Sequence, residues 1–384
     1  MQNFTYQNPT KIIFGQGQIR QLANQIPADA RVLLAYGGGS IQRNGIYQQV
    51  KAALGDRYCV EFAGIEPNPS VETLNQALPL IKTEQLDFIL AVGGGSVIDG
   101  CKYLAVAACY DGEGWDILSK KVRLSAAVPL GVVLTLPATG TESNPHAVIT
   151  CKTLQQKRSF SHPLVYPTFA VLDPSTTFSL PARQVANGVV DAFVHVMEQY
   201  LTYPVDAMVQ DRFAESLLSI LLELGPKIAQ NPDDYSLRAN LMWTASMALN
   251  GLIGVGVPQD WATHAIGHEI TAQYGLDHAQ TLAIVLPALL QQQRAVKRQK
   301  LLQYAARVWQ LHHADEERMI DEAITHTRQF FEQMGVPTRL TDYGLNADAV
   351  PTLCQRLQAH GVTKLGEHQA ILAADIADIL QLAL

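Results

Sequence analysis

Asp191 and His195 stand four residues apart in an apolar run, and His264, His268 and His278 follow within one later stretch. Side chains four apart share a helical face, so Asp191 and His195 are placed to grip a single ion. An unpaired carboxylate among Val189, Val190, Ala192, Phe193 and Val194 is costly to bury, so Asp191 needs a partner. For that pair alone a buried Asp–His hydrogen bond would do. Adding the later histidines in a largely apolar stretch favours one site over several separate core histidines. One carboxylate with three imidazoles, Asp191, His195, His264 and His278, is a ligand set for a catalytic divalent metal, Zn2+ or Fe2+. A zinc protease motif is not met: His264 is followed by Ala265, and Ala272 stands where His268-Glu269 would need its second histidine.

The elements that must carry these residues change character near residue 180. Before it, short apolar runs alternate with helical patterns. The runs at 31–36, 88–92 and 132–136 read as strands, each ending in a loop of small residues. Such alternation predicts parallel pairing in an open α/β sheet, with ligands at the carboxyl ends of the strands. After residue 180 the periodicity is helical, with helices expected over 183–201, 206–224, 236–251 and 259–274. Asp277 with Gln280 reads as a capping box, which puts His278 in the first turn of the next helix, and Gly275 as a helix stop. Two domains are expected, 1–180 and 181–384, packed closely around a cleft.

Two of the loops share one form. Gly37, Gly38, Gly39 and Ser40 end the first strand; Gly93, Gly94, Gly95 and Ser96, with Asp99, end the second. Glycines there let backbone N–H groups approach a pyrophosphate, and the dipole of the following helix favours the anion. Ile98 breaks the usual Gly-x-Gly-x-x-Gly pattern, and one such loop alone is as easily a tight turn as a ligand site. Two of them favour a nucleotide. No Asp or Glu occurs over 31–44, where an acid would bind the ribose hydroxyls of NAD, which favours NADP(H) with Ser40 as a donor; Ser40 on its own could equally cap the next helix.

Composition narrows the partners. The 384 residues carry a net charge of −7 without a basic run, which argues against nucleic acid or an anionic membrane as partner. No apolar run is long enough to span a bilayer, and the start of the chain lacks the pattern of a signal peptide. Five cysteines form no paired motif and read as reduced thiols, so a cytoplasmic protein is expected.

The motifs Thr10-Lys11-Ile12-Ile13-Phe14-Gly15, Pro67-Asn68-Pro69, Gly93-Gly94-Gly95-Ser96 and Pro137-Ala138-Thr139-Gly140-Thr141-Glu142 recur with Asn187-Gly188-Val189-Val190-Asp191-Ala192, the stretch 251–268 and Asp277-His278. Over nearly its whole length the chain thereby resembles the iron-containing alcohol dehydrogenase family, most of all its bacterial NADPH-dependent aldehyde reductase and butanol dehydrogenase branch. The resemblance implies a Rossmann-like N-terminal domain, an all-helical C-terminal domain and a homodimer. It also implies that Asp191, His195, His264 and His278 ligate the metal and that His268 helps to relay a proton. Gly37, Gly38, Ser40, Asn68, Gly94, Gly95, Ser96, Asp99, Thr135, Thr139 and Lys157 would bind NADP(H), Thr135 and Thr139 beside the nicotinamide and Gly38 and Ser40 at the 2′-phosphate. His146 departs from the pattern, standing where relatives more often carry a small or amide residue.

The activity expected is reduction of small aldehydes by NADPH, with metal polarising the carbonyl. An NAD-linked polyol dehydrogenase of the same fold is the alternative. A lyase relative would need Arg and Lys around the ligands, where they are scarce, and a non-redox metallohydrolase would show no dependence on nicotinamide.

Overall fold

The computed structural model describes residues 1–384. Eight strands form: β1 (Lys11–Phe14), β2 (Val32–Tyr36), β3 (Cys59–Phe62), β4 (Phe88–Gly93), β5 (Leu130–Leu134), β6 (His146–Cys151), β7 (Gln156–Ser161) and β8 (Phe169–Leu172). β2, β4 and β5 are buried at every residue, as parallel strands covered on both faces must be. Alternate side chains leave by opposite faces. Leu33, Ala35, Ile89 and Ala91 join Ile98, Cys101 and Leu104 of helix α1 (Gly95–Ala107) in one core. Val32, Leu34, Leu90 and Val92 meet Ile46, Val50 and Leu54 in the other.

Six strands make one parallel sheet in the order β1-β8-β5-β4-β2-β3. β3 lies to one side of β2 and β4 to the other, so the direction of winding reverses between β2 and β4. The carboxyl ends of strands at such a reversal are where open α/β sheets take their ligands. Both glycine loops are at that point, one after β2 and one after β4. The third strand is shifted from the expected 132–136: its ladder with β4 runs out where Gly93 pairs Leu134, leaving Thr135 and Leu136 to the loop.

The antiparallel hairpin β6–β7 was not expected, because Gln156–Ser161 is polar and half-exposed. Glu72 fastens it, accepting from the backbone N–H and the hydroxyl of Thr153 at 3.0 Å each.

The helical part comprises α2 (Ala182–Tyr200), α3 (Met208–Gln230), α4 (Tyr235–Ala248), α5 (Ala262–Tyr274), α6 (His278–Gln292) and further helices to the C-terminus. α2 is buried throughout residues 188–200. α3 runs on past Gly225 and Pro226, where the sequence suggested an end; a Cβ on Gly225 would meet Met334 Sδ at 2.7 Å, so packing there needs the glycine inside the helix. α5 begins later than expected, at Ala262, because Trp261 takes a left-handed φ of 63°.

Two compact units result, each drawing a segment from the other's part of the sequence: Gln7–Pro181 with Pro232–Ser246, and Met1–Tyr6 with Ala182–Asn231 and Met247–Leu384. In the first, Met242 joins the core over the sheet and the Trp243 ring meets Phe14 of β1 edge-on at 6.0 Å. In the second, Gln2 N donates to Gly256 O at 2.9 Å.

Candidate active site

In the α/β unit, β4 ends at Gly93 and α1 begins at Gly95, so Gly94, Gly95 and Ser96 form the turn at the N-terminus of a 13-residue helix. A Cβ on Gly94 would come within 2.9 Å of Leu136 Cβ, and one on Gly95 within 2.8 Å of Thr139. Only glycines let the loop after β5 press on this turn, and that contact brings Thr139 beside Gly95. Thr135 N donates to Gly93 O at 3.0 Å. Asn68, itself left-handed at φ 55°, links two more of the expected residues: its N–H donates to Ser96 Oγ at 3.3 Å, and its Oδ1 accepts from Lys157 Nζ at 2.8 Å.

The loop after β2 is more open. Gly38 and Ser40 are exposed, and a Cβ on Gly38 would touch nothing within 4 Å. The acid on the neighbouring strand, Glu61, is engaged by the hydroxyls of Tyr36 at 2.9 Å and Tyr47 at 2.6 Å.

Asp99 faces inward to the protein's own groups. Its Oδ1 accepts from Thr141 Oγ1 at 2.6 Å and its Oδ2 from Val148 N at 2.9 Å, so it ties α1 to the loop and hairpin beyond β5. Lys102, one turn further along α1, is fully buried and donates to Thr141 Oγ1 at 2.6 Å, Asn144 O at 2.8 Å and His146 O at 2.7 Å. Burial pushes its ammonium down to about 7 against the opposing pull of Asp99 and Glu142. Burial likewise raises both carboxyls. The backbone of His146 joins this network through its carbonyl and its N–H, at the exposed start of β6.

In the helical unit, α2, α5 and α6 bring four of the five expected side chains onto one another. Donor atoms of Asp191, His195 and His264 all lie within 4.8 Å of one another, and all three residues are buried. Asp191 Oδ1 is 3.5 Å from His195 Nε2 and 3.8 Å from His278 Nε2. The rings of His195 and His264 stack at 4.8 Å, and those of His264 and His278 are 5.1 Å apart. His268, one turn beyond His264, lies 5.3 Å from the His278 ring. Local structure explains each placement. Asp191 and His195 share a face of α2; Gly275 closes α5 with φ 73°; the Asp277–Gln280 capping box starts α6 at His278.

The cluster fits a divalent cation. Asp191 Oδ1 is buried without a hydrogen-bond donor, a costly state that an ion between the carboxylate and the imidazoles would relieve. One oxygen with imidazole nitrogens is a donor mixture that both Zn2+ and Fe2+ accept.

Glu198 carries no signal of its own in the sequence, although it lies three residues beyond His195 on the same helix. Its Oε2 contacts His264 Nδ1, and its Oε1 accepts from Thr263 N at 2.7 Å in the first turn of α5. It thus holds the ring, and as a charged carboxylate it would accept from Nδ1–H and leave the imidazole lone pair on Nε2. Burial pushes its carboxyl well up, with the charge of Asp260 adding to the shift. Glu198→Gln is expected to weaken metal binding by roughly 10- to 100-fold. Competition with a chelating dye checks this, and an unchanged affinity would show that Glu198 does not orient His264. Glu269, beside His268, is held by Arg356 and His360 and so is not available as the base of a hydrolase.

Comparison with known proteins agrees with this geometry. Residues 9–174 match the family model for iron-containing alcohol dehydrogenase, and residues 185–384 match the C-terminal model for the Fe-containing alcohol dehydrogenase family. The chain is 56% identical to the NADPH-dependent aldehyde reductase YqhD of Escherichia coli (strain K12), over 97% of each chain. It is 41% identical to the probable NADH-dependent butanol dehydrogenase 1 of Bacillus subtilis (strain 168), over 100% of each. The crystal structure of E. coli K-12 YqhD superposes with a TM-score of 0.98 at 55% identity, covering 100% of this chain and 99% of that one. The NADH-dependent butanol dehydrogenase A of Thermotoga maritima superposes with 0.95 at 34% identity, with coverage of 100% and 99%. The chain belongs to the iron-containing alcohol dehydrogenase family.

Proposed function

We propose that this oxidoreductase is an NADPH-dependent aldehyde reductase whose divalent ion is held by Asp191, His195, His264 and His278. The observation that carries the metal reading is the buried Asp191 Oδ1, without a hydrogen-bond donor and ringed by imidazoles. When bound, the ion polarises the aldehyde oxygen and the reduced nicotinamide supplies the hydride. Everything else falls to the protein. The N–H groups of Gly94, Gly95 and Ser96 and the positive end of α1 take the pyrophosphate. Gly37, Gly38 and Ser40 receive the adenosine end, where the missing acid admits a 2′-phosphate. Asn68 and Lys157 hold the cofactor from the hairpin side, Thr135 and Thr139 border the nicotinamide, and Asp99 braces the turn from within. His268 passes a proton to the oxygen of the nascent alcohol. Zn2+ binds such a donor set more tightly than Fe2+ at equal supply.

The 56% identical relative named as NADPH-dependent supports the cofactor reading, while the 41% identical relative is named for NADH; we assign the choice between the two to the loop after β2. A homodimer and a cytoplasmic location belong to the same reading; no helix is long and apolar enough to cross a membrane. Initial rates with butanal and either cofactor test it. NADPH is expected to give the higher kcat/KM by at least roughly tenfold, the value of one good polar contact. Equal use of NADH would overturn the 2′-phosphate assignment, and no aldehyde-dependent oxidation of either would overturn the activity.

A further inference from the structure

Trp261 has a backbone conformation that its side chain disfavours. Its φ of 63° is left-handed, an outlier for a bulky residue, and such outliers gather where function needs a particular side-chain position. The chain on each side is pinned. Asp260 N donates to Glu198 O at 2.9 Å, Asp260 Oδ1 accepts from Ala262 N at 3.0 Å, and Asp260 Oδ2 pairs with the buried Lys297 Nζ at 2.8 Å. Held this way, the indole stands edge-on to His264 at 5.2 Å and tilted over His195 at 6.2 Å. Its one polar atom is spent elsewhere, since Nε1 donates to Gln259 Oε1 at 2.8 Å. The ring remains partly exposed. What it can offer a molecule at the imidazole cluster is therefore a rigid hydrocarbon surface.

We infer that Trp261 is the specificity-determining wall of the substrate site, fixing how bulky an aldehyde can stand at the imidazole cluster. The inference rests on the reductase reading above. A tryptophan kept only for packing has no need of a strained backbone, because the same ring on an ordinary φ could fill a core. Fixing the ring by backbone pins on both sides makes the wall stiff, and stiff walls discriminate substrates by shape. Asparagine tolerates the left-handed conformation, so Trp261→Asn removes the wall without demanding a new backbone. Trp261→Phe keeps an aromatic wall and loses only the bond to Gln259.

The test compares wild type, W261N and W261F on ethanal, butanal, 2-methylpropanal and benzaldehyde with NADPH. Bound metal, its affinity in chelator competition and the melting temperature are measured for each protein. In W261N the kcat/KM for benzaldehyde relative to ethanal should rise by roughly tenfold or more, the scale of a reshaped apolar pocket. Metal affinity and melting temperature should stay at wild-type values, and W261F should keep the wild-type order of substrates. An equal fall for every aldehyde, an unchanged preference, or loss of metal from W261N would overturn the inference, the last by showing that Trp261 supports the imidazoles instead. A wild-type protein that oxidises no NADPH with any of these aldehydes would refute the reductase reading itself.

Discussion

Asp191→Ala is expected to leave the protein without bound metal and to lower kcat/KM with butanal by about a thousandfold or more. That is the order expected when several kcal/mol of charge stabilisation is removed from a carbonyl reduction. Asp191 supplies the only carboxylate of the buried donor set, and it is the side chain that lies near both His195 and His278. Stability should move the other way. In metal-free protein the Asp191 carboxylate is buried with an oxygen that finds no donor, so its removal should leave the melting temperature equal to or above that of metal-free wild type. Metal content by mass spectrometry, with melting curves in chelator, checks both halves. A variant that retains stoichiometric metal and turnover within tenfold of wild type would remove Asp191 from the site.

Lys297→Met should give the largest loss of stability. The Lys297 side chain is 1% exposed and pairs with Asp260 and Glu367, each 4% exposed, while also donating to Leu201 O at 2.7 Å. Removing the cation strands two buried carboxylates, which costs roughly 3–5 kcal/mol. Burial alone would lower the Lys297 ammonium, but the charges of Asp260 and Glu367 outweigh it and hold it above its ordinary value of 10.5. A group raised on folding contributes stability that is complete below its ordinary value and is lost as pH climbs through the folded value. The gap between wild type and K297M should therefore be level through neutral pH and narrow only above about pH 10.5. Urea denaturation across pH reads it directly. A gap below 1 kcal/mol, on the order of a surface pair, would contradict a buried triad. Because Asp260 adjoins Trp261, the same variant should also broaden aldehyde preference, linking the buried triad to the wall it steadies.

Legibility of the site in the sequence followed the range of the interactions. Spacing within one helix was enough to put Asp191 against His195, and a local capping signal at Asp277 was enough to start α6 at His278. The glycine loops were readable because each directly follows an apolar strand, and their placement at the ends of adjacent strands follows from parallel winding. Contacts that cross between elements were not readable. Glu198 lies on the helical face of Asp191 and His195, but its grip on His264 and on the first turn of α5 exists only once α2 and α5 are packed. The hairpin β6–β7 is polar along one strand and is fastened by Glu72 from far upstream, so no periodicity announces it. The conformation of Trp261 has no signal in residue type at all, since tryptophan disfavours it. The exchange of Met1–Tyr6 and Pro232–Ser246 between the units depends on tertiary packing around Gly256 and Trp243.

A divalent ion held by Asp191 and the histidines should be needed for NADPH-linked aldehyde reduction. This requirement is tested most directly by measuring butanal-dependent NADPH oxidation on metal-stripped protein, before and after adding one equivalent of Zn2+ or Fe2+. Negligible turnover is expected of the stripped protein, with recovery on adding the ion and no such recovery in the Asp191→Ala variant. Turnover that survives complete removal of metal would contradict the requirement.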